Sequence, residues 1–194
     1  MAALSETVQH YPKKLSLSDG QTFAIRMMEP SEKDRSAILK FASALREEDL
    51  LYLRTDITDP MVVSEWVRNL ESGHTTTIVA ESNDEVAGYA SVHREPARWT
   101  RGIGELRVNA AQRFRGIGLG RALVAEAFSL GKTMGLRKLC GVLTPEQHGA
   151  RTAFERLGFR VEASLQDWVE DRRGRLHDIL VLTYELDGFG NQAS

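Results

Sequence analysis

Apolar residues recur along the chain in two rhythms, every second position or every third and fourth, and the switches between them predict alternating strands and helices. Leu15-Ser16-Leu17 and Thr22 to Met28 flank Asp19-Gly20, a dipeptide suited to a tight turn, and predict an opening hairpin. Pro30 and Ser31 signal a helix start, after which Ile38, Ala42 and Leu45 keep helical spacing and Leu39 and Phe41 widen the apolar face. Val62, Val63, Trp66, Val67 and Leu70 predict a second helix ending near Gly73. Thr75 to Glu81 and Val86 to His93, rich in β-branched residues, predict a second hairpin turning at Asn83-Asp84.

The second half begins with a clean alternation from Ile103 to Ala110. Leu106, Val108 and Ala110 fall on one face, and Ile103, Glu105, Arg107 and Asn109 on the other. From Leu119 the period becomes helical through Leu123, Ala127 and Leu130. Lys138 to Thr144 predicts a strand, Pro145 opens a helix that runs to Leu157 and closes at Gly158, and Val161 to Glu170 with Asp178 to Leu186 form a last hairpin around Arg173-Gly174. The pattern contains no internal repeat. It predicts an α/β (α+β) domain over residues 15–186, between a mobile tail, 1–14, and a short polar tail, 187–194.

Composition narrows the functions such a domain could serve. With 194 residues, 42% of them hydrophobic, the chain can bury a core and still line a pocket. Its 25 basic and 27 acidic residues are interleaved to a net charge of −2, which offers no basic field for nucleic acid. A single cysteine, Cys140, excludes an internal disulfide and a zinc cluster. No apolar run approaches a membrane span, and no secretory signal precedes the first strand, so a cytoplasmic location is expected. The five histidines show no metal-ligand spacing, and no metal is expected.

The strongest chemical signal is Arg115-Gly116-Ile117-Gly118-Leu119-Gly120, between the alternating strand and the helix. A strand, a glycine-rich turn and a helix N-terminus together leave main-chain N–H groups pointing outward at the positive end of the helix dipole. Arg115 and Arg121 add charge. The loop is not a nucleoside-triphosphate loop, because Gly120 is followed by Arg121 and Ala122 rather than Lys-Ser/Thr. A dinucleotide fingerprint starting at Gly116 or Gly118 would need Gly or Ala at Arg121 or Leu123.

Arg115, Gly118 and Gly120 satisfy the pattern Gln/Arg-x-x-Gly-x-Gly/Ala, and Ala150, Phe154 and Leu157-Gly158-Phe159 match a helix of small residues ending in an aromatic and Leu-Gly-Phe. In this order of elements the chain resembles the GNAT superfamily of acyl-CoA-dependent N-acyltransferases. Within it, the Asp19-Gly20 hairpin, the Arg46 to Leu53 segment and the placing of Glu105 ten residues before Arg115 resemble bacterial protein-lysine acetyltransferase domains, here standing alone. The resemblance implies a mixed, mostly antiparallel sheet of about seven strands flanked by about four helices. It implies acetyl-CoA as donor, its pyrophosphate held by Arg115, Gly116, Ile117, Gly118, Leu119, Gly120 and Arg121.

The same resemblance carries a general base onto Glu105 and a carbonyl-polarising main-chain N–H onto the stretch Leu106, Arg107 and Val108. Gln147 stands where relatives often have an asparagine that contacts the cofactor. Phe154 stands where many have a tyrosine that protonates the leaving thiolate, so it can pack against pantetheine but donates nothing. Read from the residues alone, the alternative for Glu105 is a structural ion pair with Arg107, two positions along the same face. Cys140, among Leu139, Val142 and Leu143, reads as a core thiol rather than a nucleophile.

The acceptor implied is an amine: a protein lysine, or a small molecule such as a polyamine, an amino acid or an aminoglycoside. A deep, strongly acidic cleft would favour the small molecules. The acceptor side is expected from the loop of the first helical pair and the last hairpin, where Arg46-Glu47-Glu48-Asp49, Tyr52, Arg54 and Asp171-Arg172-Arg173 lie, and the acidic run Glu47-Glu48-Asp49 is one candidate for attracting a cationic amine. Loss of the tyrosine also keeps open a CoA-binding sensor or interaction module without catalysis. Acyl length and oligomeric state are open at this level.

Overall fold

The structure is a computed structural model and describes residues 10–95 and 99–186. An opening hairpin, β1 (Lys13–Ser16) and β2 (Thr22–Met27), leads to three helices, α1 (Glu32–Ser43), the single turn α2 (Glu47–Leu50) and α3 (Pro60–Glu71). Three antiparallel strands follow: β3 (Thr75–Ser82), β4 (Glu85–Arg94) and β5 (Ile103–Ala110). Helix α4 (Leu119–Thr133), strand β6 (Lys138–Leu143), helix α5 (His148–Arg156) and the hairpin β7 (Arg160–Glu170) and β8 (Leu176–Glu185) complete the chain.

The strands form one sheet of eight, in the order β1-β2-β3-β4-β5-β6-β8-β7. The expected mixed, mostly antiparallel sheet is present, and its eight strands are those the pattern predicts, one more than the about seven that the resemblance implies. Lys13 and Lys14 of β1 are paired with Ile25 and Ala24, so the paired chain starts before the expected boundary at residue 15. Residues 1–9 of the expected first tail and all of 187–194 lie outside the described residues.

Local chemistry sets the helix boundaries. Ser31 caps α1 by accepting from Asp34 N–H, and Asp59 caps α3 by accepting from Met61 N–H ahead of Pro60. Helix α5 starts at His148 rather than Pro145 because Gln147 turns back: its N–H donates to Thr144 O, and its side-chain oxygen accepts from Thr144 N–H at 2.9 Å.

Two apolar cores flank the sheet. One packs Leu119, Leu123, Ala127 and Leu130 of α4 against Leu106 of β5, Ala90 and Val92 of β4 and Leu139 of β6. The other packs Ile38 and Phe41 of α1 and Val63 and Trp66 of α3 against Val79 and Tyr89. The even positions of β5 therefore belong to the α4 face and the odd ones, with Glu105 and Arg107, to the α1/α3 face.

All strand pairs are antiparallel except β5 with β6, which run parallel for only three residue pairs: Ile103 with Lys138, Gly104 with Leu139 and Glu105 with Cys140. Beyond that point β5 stays with β4 and β6 stays with β8. The sheet opens between them. Side chains crowd close to the opening: a Cβ on Gly104 would come within 2.6 Å of Leu136 Cδ1 and 2.8 Å of Val92 Cγ1, and one on Gly141 within 2.4 Å of Phe154 Cε1.

Gly141→Ala is accordingly expected to cost about 1–3 kcal/mol by overpacking. Urea unfolding would measure this, and the loss should shrink in the Gly141→Ala, Phe154→Leu double variant.

Candidate active site

Strand β5 leaves the sheet through one 3-10 turn, Gln112–Phe114, and enters the glycine loop. Gly116 has φ +78° and Gly118, the N-cap of α4, has φ +98°, left-handed conformations that only glycine adopts without strain. The first intrahelical bond runs from Ala122 N–H to Gly118 O. Among the described residues no acceptor serves the N–H groups of Gly116, Ile117, Gly118, Leu119, Gly120 or Arg121. A Cβ placed on Gly116, Gly118 or Gly120 would meet nothing within 4 Å. The loop is an open row of donors at a helix N-terminus, the arrangement that suits a phosphate.

The two arginines at this loop divide their work. Arg115 donates from Nη1 to Asp49 Oδ1 at 2.5 Å and from Nε to Ala110 O at 3.1 Å, so its side chain fastens α2 to the end of β5. Burial pushes the Asp49 carboxyl up, but hydrogen bonds from Arg115 and Arg46 more than offset it and hold it below the usual carboxylate range. Arg121 is exposed and has no acceptor among the described residues, which leaves it as the loop's spare cation.

The opening between β5 and β6 leads back from this loop into the sheet. Ala111 N–H donates to Ala87 O, so odd residues of β5 turn their main chain to β4 and even residues turn theirs toward β6. Pairing with β6 ends at Glu105 and Cys140, so Val108 carries the first N–H beyond the last bridge that faces the gap. The side chain of Leu106 is buried under α4 and contributes nothing to the gap.

Register puts His93, Glu105, Cys140 and Thr183 side by side on the α1/α3 face. Glu105 accepts from Arg107 Nε and from Arg54 Nη1, each at 2.8 Å, so both carboxylate oxygens carry a guanidinium. The ion pair with Arg107 that the sequence left open is present, and a second one is added to it. His93 shares a hydrogen bond with Thr75 Oγ1 at 3.1 Å, and burial, followed by the charges of Arg107 and Arg54, pushes its pKa down to about 3. Burial, reinforced by Glu105, pushes the Cys140 thiol up to about 11, which keeps it protonated and unsuited to attack.

Beside this row lies a cavity of about 240 Å³ between α3 and the sheet. Ile57, Val62, Trp66 and Tyr89 give it apolar walls, while Glu65, His93 and Arg107 supply its charged and titratable groups. Trp66 is held by a bond from Nε1 to Thr77 Oγ1 at 3.0 Å, and Thr77 in turn meets Ser91 Oγ at 2.8 Å.

The segment from Arg46 to Asp56 lies across the opening like a strap. On the β5 side Asp49 holds Arg115 and Arg54 holds Glu105. On the other side Arg173 donates to Glu47 at 2.7 Å, Arg172 pairs with Asp56, and the ring of Tyr52 meets His177 edge-on with centroids 5.7 Å apart. Glu47 and Asp49 are thus engaged in ion pairs, which argues against the acidic run as a lure for a cationic amine. Arg54 and Arg172, expected on the acceptor side, do meet across the opening through Glu105 and Asp56, whereas sequence reasoning missed His93, whose neighbours Glu105 and Thr75 lie across strands and leave no local signal.

Two expected cofactor contacts have structural duties. The oxygen of Gln147 is spent on Thr144 N–H, which leaves its NH2 group as a donor. Phe154 is 4% exposed, fills the space over Gly141 and meets Phe159 edge-on at 4.9 Å. Burial there makes it core, with little ring left for a ligand. Among the described residues no group of three or more His, Cys, Asp or Glu is placed to hold a metal, and none of the helices is long and apolar enough to cross a membrane.

The model of the acetyltransferase (GNAT) family matches residues 41–159, more than half of the chain. No curated protein matches the sequence. Among solved structures, a Salmonella typhimurium protein described with its cofactor acetyl-CoA is 19% identical, with TM-score 0.74 over 90% of this chain and 99% of that one. A ribosomal-protein-alanine N-acetyltransferase from Brucella melitensis is 24% identical, with TM-score 0.71 over 82% and 98%. The GNAT domain of S. lividans PAT is 17% identical, with TM-score 0.73 over 91% and 97%. These likenesses establish the fold.

The depressed pKa of His93 makes stability depend on pH. Between its unfolded value near 6.5 and its folded value of about 3 only the unfolded chain takes up the proton, so stability falls as pH drops through that window. His93→Gln is expected to flatten the decline between pH 6 and pH 4, as measured by urea midpoints across that range.

Proposed function

Because the chain belongs to the acetyltransferase (GNAT) family and is an acyl-CoA-dependent N-acyltransferase, we propose that it moves the acetyl group of acetyl-CoA to a primary amine by direct attack, with Glu105 as general base. The observation that carries this reading is the continuity of the open row of N–H donors at Gly116 to Arg121 with the gap between β5 and β6, which ends beside Glu105. The loop fits a pyrophosphate: its donors are unpaired, the space above its glycines is empty, and Arg121 is a spare cation. When bound, acetyl-CoA supplies an acyl group activated as a thioester.

In this reading Val108 N–H donates to the acyl carbonyl oxygen and stabilises the charge that builds there as the amine nitrogen attacks. Glu105 takes the proton that the nitrogen sheds; for that, one of its two oxygens must release its guanidinium, and Arg54, whose side chain is 59% exposed, is the freer of the two. The departing thiolate is protonated by solvent, since Phe154 has no proton to give. Cys140, held as a thiol, forms no acyl intermediate.

The acceptor is an amine, and protein lysine and small molecules are both within the proposal. The cavity is not strongly acidic, since its lining holds a single carboxylate, Glu65, alongside Arg107, which removes the feature that would have marked a polyamine or aminoglycoside site. A sensor without catalysis finds no support beyond Phe154, whose burial has a packing cause.

Glu105→Gln should lower kcat by about 10²–10⁴-fold with CoA affinity nearly unchanged, and full turnover in that variant would exclude it as the base. Gly118 is a poor probe of the loop because its φ of +98° strains any side chain. Gly120 has no such strain and open space above it. Gly120→Val is expected to weaken CoA binding about tenfold or more by calorimetry while the melting temperature stays near that of the parent.

A further inference from the structure

Arg107 spends only its Nε on Glu105; its two terminal nitrogens, with four N–H donors, have no acceptor among the described residues, and the side chain lines the 240 Å³ cavity. Arg54 likewise makes a single contact, from Nη1 to Glu105, and its side chain stays 59% exposed. Two guanidiniums therefore face one carboxylate at the junction of the cavity and the gap. The other ionisable groups here do not cancel this excess of donors. His93 is neutral, and Glu65, exposed on the α3 wall, pairs with no described residue.

This arrangement offers guanidinium donors with no anion among the described residues to answer them. A simple cationic amine, whether a lysine side chain or a polyamine, would leave the donors of Arg107 unanswered and would meet two guanidiniums where it must react. An amine that carries an anionic group answers those donors and gives Arg54 a partner in place of Glu105. The cavity is smaller than the roughly 300–1,000 Å³ of pockets that take drug-sized ligands, and Ile57, Val62, Trp66 and Tyr89 wall it with apolar surface.

Resting on the acetyl-transfer reading above, we propose that the acceptor is a small zwitterion whose amine sits one or two atoms from an anionic group, a free α-amino acid with an apolar side chain being the simplest case. The anion binds Arg54 and Arg107 in the bidentate manner to which guanidinium is suited. Binding it draws Arg54 away from Glu105 and thereby frees a carboxylate oxygen beside the amine. The apolar side chain fills the cavity. The zwitterion's ammonium first gives one proton to solvent; in the transfer the neutral nitrogen then forms the new C–N bond, the thioester C–S bond breaks, the nitrogen's second proton goes to Glu105, and the sulfur leaves as the CoA thiolate, which solvent protonates.

The test compares three matched sets of acceptors in a thiol-release assay with acetyl-CoA: neutral α-amino acids, their amides and the corresponding decarboxylated amines. Calorimetry of the same compounds with the CoA-loaded protein runs in parallel. The acids are expected to exceed amides and amines by about ten- to hundredfold in kcat/KM, the worth of a charged hydrogen-bonded contact. The ratio should fall toward unity in Arg107→Gln and in Arg54→Gln, and because it is taken within one protein it is insensitive to partial loss of fold.

Thiol release that is equally fast with amides or amines overturns the proposal and leaves acetyl transfer standing. Carboxylate-dependent binding with no thiol released from any acceptor removes the transfer reading and supports the anion site. Binding that ignores the carboxylate overturns the proposal whatever the turnover.

Discussion

The parallel pairing of β5 with β6 lasts three residue pairs, and the rest of the site depends on its ending there. A continued ladder would satisfy the main chain of both strands and close the sheet to any ligand. Instead β4 holds β5 and β8 holds β6, so each strand stays in a sheet while a wedge opens between them. The crowding at Gly104 and Gly141 belongs to the same device. Leu136, Val92 and Phe154 fill the space that side chains at those two positions would occupy, and so pack the walls of the wedge without narrowing it.

Across the wedge the molecule uses charge rather than apolar packing. The Arg46–Asp56 strap is pinned to one bank through Asp49 and Arg54 and to the other through Glu47, Asp56 and Tyr52. The pairs of Glu47 and Asp56 are exposed and each contribute little to stability, so on that side they guide the segment without locking it, whereas Asp49, largely buried against Arg115, is the firmer anchor. The buried row beneath behaves in the opposite way. His93 and Cys140 are both held uncharged by burial, which leaves Glu105 and its arginines as the ionised groups at the point where the strands part.

The alternation of Ile103 to Ala110, the helical period from Leu119 and the glycine loop between them were legible in the sequence because they are local: backbone preference and burial act on neighbouring residues there. The same holds for the hairpins and for the cap at Ser31. The partners of Glu105 were only half legible. Arg107 lies two positions away on the same strand, whereas Arg54 reaches it from a segment that shows no periodicity. Helix α2 escaped notice because one turn is too short to show a period, and the N-terminus of α5 shifted because Gln147 turns back on Thr144, a contact that Pro145 masks. Phe154 was read for its chemistry when its environment, the vacancy above Gly141, assigns it to packing.

The loop at Gly116 to Arg121 offers a ligand main-chain groups and one exposed arginine, and the gap behind it offers the N–H of Val108. The walls of the cavity and the strap are made of side chains: Arg54, Glu65, His93 and Arg107. Main-chain donors survive almost any exchange of residues that keeps the backbone path, while a side-chain wall changes with every substitution. The two halves of the cleft are therefore free to diverge at different rates, and a new preference on the cavity side could arise by a handful of substitutions without disturbing the row of amides at the start of α4.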